Sequence, residues 1–259
     1  MKTLMTQLAL NAFANPGHVR QWRIAPSGDS CLVIEVADRF SFEANRAAAV
    51  IARQIKRLCA DGSLHGVLDV VPAMVSVGIY YHPDAVCCEN GEMPYRCLTR
   101  QLNEALQTFD IATGLDDTRE ITLPVCYGGA YGPDLEEVAK ACGMTPQEVI
   151  RCHTEKSVDV LMLGFAPGHA YIGDFDKRLN IPRRSVPRTL VQRGSIGLAN
   201  SQSVIYPADL PGGWNLIGRT PRQVFDIAQD NPCLLHAGDR VRFVSIDADE
   251  FQALMGAHT

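Results

Sequence analysis

Residues 194–220 read GSIGLANSQSVIYPADLPGGWNLIGRT, and their pattern decides what the second half of the chain can be. Three β-like runs, GSIGLAN, SVIYP and NLIGRT, are separated by Gly and Pro at a spacing too short for helices. Glycine weakens a helix through backbone entropy, and proline breaks it by removing an N–H donor. Working outward, VDVLMLGF (158–165) and RVRFVSI (240–246) continue the pattern on either side, and ITLPVCYGG (121–129) adds a strand at the start of this half. Short strands with turns at this density predict a barrel or a sandwich.

Two short helices interrupt the strands. Asp134 precedes Leu-Glu-Glu and is expected to form a capping box with Glu137, while Thr145-Pro146-Gln147-Glu148 forms another with Pro at the first helical position. Gly143 closes the first of these helices. The pair has the outline of a helix-turn-helix, but Glu148 and Glu155 stand against Arg151 and Lys156, with no basic flank to hold phosphates. Two packed helices decorating a β domain fit better. GGAYGPDLEEV is not a phosphate loop either, since Asp134, Glu136 and Glu137 crowd the helix start and repel an anion.

The first half follows a different plan. WRIAPSGDSCLVIEVAD (22–38) reads strand, turn, strand, and FEANRAAAVIARQIKRLCADG (42–62) is an amphipathic helix with Ala48, Ile51, Ala52, Ile55 and Leu58 on one stripe. GVLDVVPAMVSVGIYYHP (66–83) gives two more strands around Pro72, and PYRCLTRQLNEALQTFDIA (94–112) a second helix. The order ββαββα predicts an α+β sandwich, helices on one face of an antiparallel sheet. The polar stretch near residues 112–119 reads as a linker. We therefore expect an N-terminal extension over residues 1–20, an α+β domain over 21–118 and a mostly β domain over 119–259.

Composition narrows the function. The chain has 259 residues, 46% of them hydrophobic, enough for one large core or two modest ones. A net charge of −5 argues against a nucleic-acid binder. Nine cysteines without a C-x-x-C pair read as reduced thiols, so a cytoplasmic location is expected. MKTLMTQLALNAFANPG mimics a secretory signal only faintly, because Thr6, Gln7 and Asn11 break its apolar run. No stretch of about 18 apolar residues occurs, so no membrane span is expected. The histidines are isolated in sequence, which predicts no metal centre. RGSIG around Ser195 lacks the G-x-S-x-G elbow of a serine hydrolase.

The chemistry concentrates between residues 161 and 221. There Lys177, Arg178, Arg183, Arg184, Arg188, Arg193 and Arg219 meet only Asp174, Asp176 and Asp209. Pro182 and Pro187 keep the arginine segment out of a helix. Guanidiniums on a loop over a β scaffold suit bidentate capture of a carboxylate or phosphate. We favour that role for Arg183, Arg184, Arg188 and Arg219; for Arg178 and Arg193, pairing with some of the 29 Asp and Glu residues is an equal alternative. GFAPGHAY puts Pro167, Gly168, His169 and Tyr171 on one loop, and PGGW puts Gly213 and Trp214 at a double glycine that lets backbone approach a ligand. Gln202 and Tyr206 add neutral hydrogen-bonding groups to what would be a small-molecule site. For Trp214 the competing assignment is plain core.

PVCYGGAYGPDLEEVA, GFAPGHAYIG, PRRSVPRTLVQRGSIGLANSQSVIYP and PGGWNLIGRTP, in this order, resemble the family called allophanate hydrolase subunit 1, or KipI-like, which includes the B-type component of 5-oxoprolinase. GDSCLVIEV and GVLDVVPA extend the resemblance into the first half, from about Trp22 onward. It implies a ferredoxin-like N-terminal domain and a cyclophilin-like C-terminal β-barrel. It also implies a heteromeric, ATP-dependent 5-oxoprolinase in which this chain works with a subunit of the allophanate hydrolase subunit 2 type and a third of the LamB/YcsF type. ATP is then a co-substrate, bound by this chain or a partner, and the substrate a small anion. His169, Arg184 and Arg188 become candidate catalytic groups. Pro167, Gly168, Tyr171, Arg183, Gln202, Tyr206, Gly213, Trp214 and Arg219 become candidate substrate contacts, and His169 a candidate proton carrier near neutral pH. The family usually carries an aromatic residue where this chain has His169. The alternatives are a regulatory protein inhibiting a sensor histidine kinase, as a Bacillus-type relative does, or a carboxyl-amide hydrolase component of another substrate. The Ser-Ser-Lys glycine-rich signature of amidases is absent from the chain.

Overall fold

The computed structural model describes residues 22–88, 91–109 and 118–256. The expected extension over residues 1–20 and most of the expected linker lie outside the described residues. The chain divides into two compact units, Met1–Asp117 and Thr118–Thr259.

In the first unit β1 (Arg23–Pro26), β2 (Cys31–Glu35), β3 (Val67–Pro72) and β4 (Ser76–Tyr81) form an antiparallel sheet in the order β1-β2-β4-β3. Pro72 is tolerated because β3 lies at the sheet edge, where a missing N–H breaks no ladder. Helix α1 (Phe42–Ala60) starts at Ser41, whose hydroxyl accepts the Ala44 N–H at 3.1 Å. Its predicted stripe is the buried one: Ala48, Ile51, Ala52 and Ile55 pack with Leu32, Ile34, Val77 and Ile79 of the sheet. Helix α2 (Pro94–Thr108) opens with Pro at its first turn and buries Leu98, Leu102 and Leu106, four residues apart, in the same core.

In the second unit the expected barrel is closed. Strands β5 (Glu120–Tyr127), β6 (Val158–Leu163), β7 (Ala170–Gly173), β9 (Ser195–Ala199), β10 (Gln202–Ile205), β12 (Asn215–Arg219) and β13 (Arg240–Ile246) follow one another around it as β10-β7-β6-β13-β5-β12-β9. Only the β13–β5 pair is parallel among those ladders. Leu123, Val160, Ile172, Ile196, Leu198, Ile205, Ile217 and Phe243 fill the interior. A smaller ribbon, β8 (Arg188–Val191) paired with β11 (Leu210–Gly212), lies beside a second apolar cluster of Val191, Ala199, Val204, Tyr206, Trp214 and Leu216. Because side chains alternate along a strand, this second cluster takes the residues between the interior ones. Pro211 and Gly212 end β11, and Gly213 and Trp214 make the bend that connects it to β12.

Helices α3 (Leu135–Ala141) and α4 (Pro146–Thr154) pack on the barrel, and α5 (Ala248–Gly256) ends the described chain. The capping box at α4 forms as expected, with the Thr145 hydroxyl and Glu148 carboxylate bonding reciprocally to backbone. The one expected at α3 does not. The Asp134 side chain makes no cap bond, because its oxygens are used elsewhere.

The loop before α3 explains how Asp134 is placed. Gly132 lies so close to β12 that a Cβ there would overlap the Ile217 carbonyl oxygen. Gly128 N–H donates to that same oxygen at 3.1 Å, and Asp134 N–H to Leu216 O at 2.9 Å. Gly132→Ala is expected to lower stability by about 1–3 kcal/mol through overpacking against unyielding backbone. Urea unfolding at pH 7 measures it, and an unchanged midpoint would contradict this packing.

Candidate functional site

Four strands, β7, β10, β9 and β12, run side by side, and their register aligns Tyr171, Val204, Gly197 and Leu216 in one row across the sheet. Gly197 is small for a reason: a Cβ there would sit 2.6 Å from the Trp214 Cβ. Trp214 fills that space, with its ring 6.0 Å from Tyr171 in an edge arrangement. Gly212 plays the matching part for Tyr206, whose hydroxyl an added Cβ would overlap. Burial raises the pKa of that hydroxyl, and the Trp214 backbone beside it works, to a smaller extent, to lower it. Both glycines admit protein rings, whereas the sequence pattern pointed to Gly213 and to a ligand.

His169 precedes β7 and is 1% exposed. Its imidazole is boxed by Phe165, Tyr171 and Tyr206, with ring centroids at 5.3, 5.1 and 5.3 Å. Burial pushes its pKa down to about 4, and the Arg183 guanidinium nearby works in the same direction. The ring is therefore neutral at pH 7, which corrects the expectation of a proton carrier near neutrality. Phe165, two-thirds exposed, holds a left-handed backbone at φ 73°, a costly conformation for an aromatic residue.

The arginines reach this place from the segment between β7 and β9. Arg184 N–H donates to Gly213 O at 2.8 Å, and Arg188 pairs with Gly212 across β8 and β11. The Arg183 guanidinium stacks over the Trp214 ring at 5.0 Å. Arg183 and Arg188 both lower the Tyr206 pKa, against the larger upward effect of burial. Arg184 and Arg188 converge on Asp134 Oδ1, from Nη1 at 3.2 Å and Nη2 at 2.7 Å. Among the described residues, three buried side-chain nitrogens have no hydrogen-bond partner: His169 Nδ1, Arg184 Nε and Arg188 Nη1. Buried polar atoms are nearly always bonded in folded proteins, so three in one neighbourhood mark a place built for something else.

Residues 22–235 match the family described as carboxyltransferase domain, subdomain C and D. The chain belongs to that family. A Bacillus subtilis (strain 168) protein, the B-type component of a 5-oxoprolinase, is 38% identical over 237 residues, 90% of this chain and 96% of its own length. A Haemophilus influenzae protein of the same name is 34% identical over 221 residues, 85% of this chain and 96% of its own length. The crystal structure of TTHA0988 superposes with a TM-score of 0.70 at 30% identity, covering 85% of this chain and 40% of that one.

In this carboxyltransferase-domain chain the remaining candidates sit apart. Arg219 Nε donates to the Arg193 carbonyl and Nη1 to Gln192 Oε1, each at 2.8 Å, with the guanidinium over Phe251. It does not join Arg184 and Arg188, which corrects the expectation of a four-arginine anion site. Arg178 is paired with Asp176 at 2.7 Å on the surface, the blander of its two alternatives. Gly168 is held at φ 75° with Phe225 behind it, and Pro167 is exposed beside it, whereas Gly213 stays with the cluster through its carbonyl, which accepts the Arg184 N–H. Gln202 begins β10 opposite Ala199, on the face of Val204 and Tyr206. Asp134 and Phe165 belong to the cluster and were missed. Asp134 looked like a helix cap, and nothing in GFAPGHAY signals a strained phenylalanine.

Because an aromatic box surrounds an imidazole with an unpaired Nδ1, His169→Phe is expected to raise stability by about 1–2 kcal/mol by removing a buried unsatisfied atom. Thermal unfolding at pH 7 reads it directly. A melting temperature several degrees below wild type would show instead that the imidazole is needed for the fold.

Proposed function

We propose that this chain is one component of a heteromeric enzyme that opens 5-oxoproline to glutamate at the expense of ATP. The observation that carries the reading is the group of unpartnered nitrogens on Arg184, Arg188 and His169, beside the Tyr206 and Trp214 rings. Family membership and the names of its relatives supply the substrate. On this reading the two units are a ferredoxin-like sandwich and a cyclophilin-like barrel, and the protein acts in the cytoplasm.

The arginine N–H groups hold the substrate carboxylate, and Tyr171, Tyr206 and Trp214 wall the ring from water. Neutral His169 offers its free Nδ1 as a hydrogen-bonding group. ATP supplies the activation that a resonance-stabilised lactam needs before water attacks. The start of α3 does not fit nucleotide phosphates, because Asp134, Glu136 and Glu137 stand there. We assign ATP to a partner, of the allophanate hydrolase subunit 2 type or the LamB/YcsF type.

Mixing the purified chain with both partner proteins, 5-oxoproline and ATP is expected to release glutamate and phosphate together. The chain alone is expected to be silent. No glutamate from the full mixture, with inhibition of a sensor histidine kinase by the chain, would overturn the reading in favour of a regulatory protein.

A further inference from the structure

Asp134 is 4% exposed, and its carboxylate is divided between two tasks. Oδ2 accepts the Leu216 backbone N–H at 2.7 Å, while Oδ1 accepts from both Arg184 and Arg188. One oxygen is thus fixed to β12 and the other fixes two guanidiniums. Two cations this close repel unless an anion lies between them, so the aspartate is what allows the pair to exist. Arg184 Nε and Arg188 Nη1 are left without a partner. Glu137 Oε2 also accepts from Arg184 Nη1, at 3.4 Å and from the surface, so two carboxylates balance the two half-buried guanidiniums. Arg183 is exposed on the Trp214 face, where water shares its charge.

We propose that Asp134 is the positioning residue of this site: its carboxylate orients Arg184 and Arg188 so that Arg184 Nε–H and Arg188 Nη1–H grip the carboxylate of the ligand. The proposal rests on the 5-oxoproline reading and deepens it by assigning what holds the arginines and which of their N–H groups take the substrate. Asp134 itself does not touch the ligand.

Asp134→Asn separates its two tasks. The amide oxygen still accepts from Leu216, but the amide N–H groups face the guanidiniums and release them. Two readouts apply, both on the chain assembled with its partner proteins. Arginine side-chain NMR is expected to show a resolved Arg184 Nε–H signal in wild type that collapses to the averaged position of mobile arginines in the variant. Steady-state kinetics is expected to show KM for 5-oxoproline raised about 10- to 100-fold, the range for loss of an orienting partner, with kcat and the KM for ATP nearly unchanged. If Asp134→Asn does not fold, Asp134→Asn with Arg188→Gln, in which amide meets amide, reports through the same Arg184 signal. An Arg184 signal unaltered by the substitution overturns the proposal whatever the enzyme does. So does an unaltered KM in an active complex, or a fall in kcat alone. A collapsed signal in an assembly that never cleaves 5-oxoproline upholds the positioning role and sinks the functional reading instead.

Discussion

Replacing Arg188 by glutamine is expected to lower kcat/KM for 5-oxoproline in the assembled enzyme about 100- to 1,000-fold, through KM, the usual cost of deleting one charged partner of a bound carboxylate. Arg188 is joined to Asp134 through Nη2 and has Nη1 buried without a partner. The substitution removes the free donor and also half of the arrangement that aims Arg184. Lysine is not expected to rescue it, because a point charge on a flexible stem cannot hold Asp134 with one edge and a ligand with the other. The fold should survive, since Asp134 keeps Arg184 and the Leu216 N–H. Arg178→Gln, at the exposed pair with Asp176, is the control and is expected to stay within about threefold of wild type. Equal losses in the two variants would show that charge on the segment matters and the Asp134 cluster does not.

The second large effect concerns pH. His153 lies inside the barrel, its ring stacked on Phe175 at 4.7 Å, with Tyr127 OH 2.7 Å from Nδ1 and Ser203 Oγ 3.1 Å from Nε2. Burial pushes its pKa down to about 3, as it pushes that of His169 to about 4. An unfolded chain protonates histidine near pH 6.5, so below that pH the unfolded state binds protons that the native state refuses. At pH 7 both rings are neutral in both states and nothing is lost. As pH falls from 6.5 toward 4, each histidine costs about 1.4 kcal/mol per unit, or about 4 kcal/mol for the pair at pH 5. Urea midpoints at pH 7 and pH 5 should differ accordingly, and His169→Phe should recover about half the difference. Equal midpoints would mean that both rings accept a proton without leaving their sites, since one refusing ring alone still costs about 2 kcal/mol at pH 5.

Alternation and turn chemistry made the fold legible. The runs in residues 194–220 became β9, β10 and β12, and the stripe through Ala48, Ile51 and Ile55 became the buried face of α1. Barrel closure was not readable, because it depends on β13 pairing in parallel with β5 across more than a hundred residues of chain. The candidate site was legible by composition and not by geometry. Arginines, aromatics and glycines marked the right segment, and Arg183, Arg184, Arg188, His169, Tyr206 and Trp214 do come together. What separated Arg219 from them was the partner each guanidinium finds, a long-range matter that local sequence does not encode. Asp134 shows the same limit. Its position before Leu-Glu-Glu satisfies the local rule for a cap, and tertiary contacts with β12 and two arginines override it.

The central claim is that the unspent N–H groups of Arg184 and Arg188 receive a small carboxylate. Titrating 5-oxoproline into the assembled complex carrying the 15N-labelled chain, and following the Arg184 Nε–H resonance, tests this most directly. A saturable shift of that signal, absent in Arg188→Gln, is the predicted result. A resonance that stays fixed while the same sample cleaves 5-oxoproline would contradict the account.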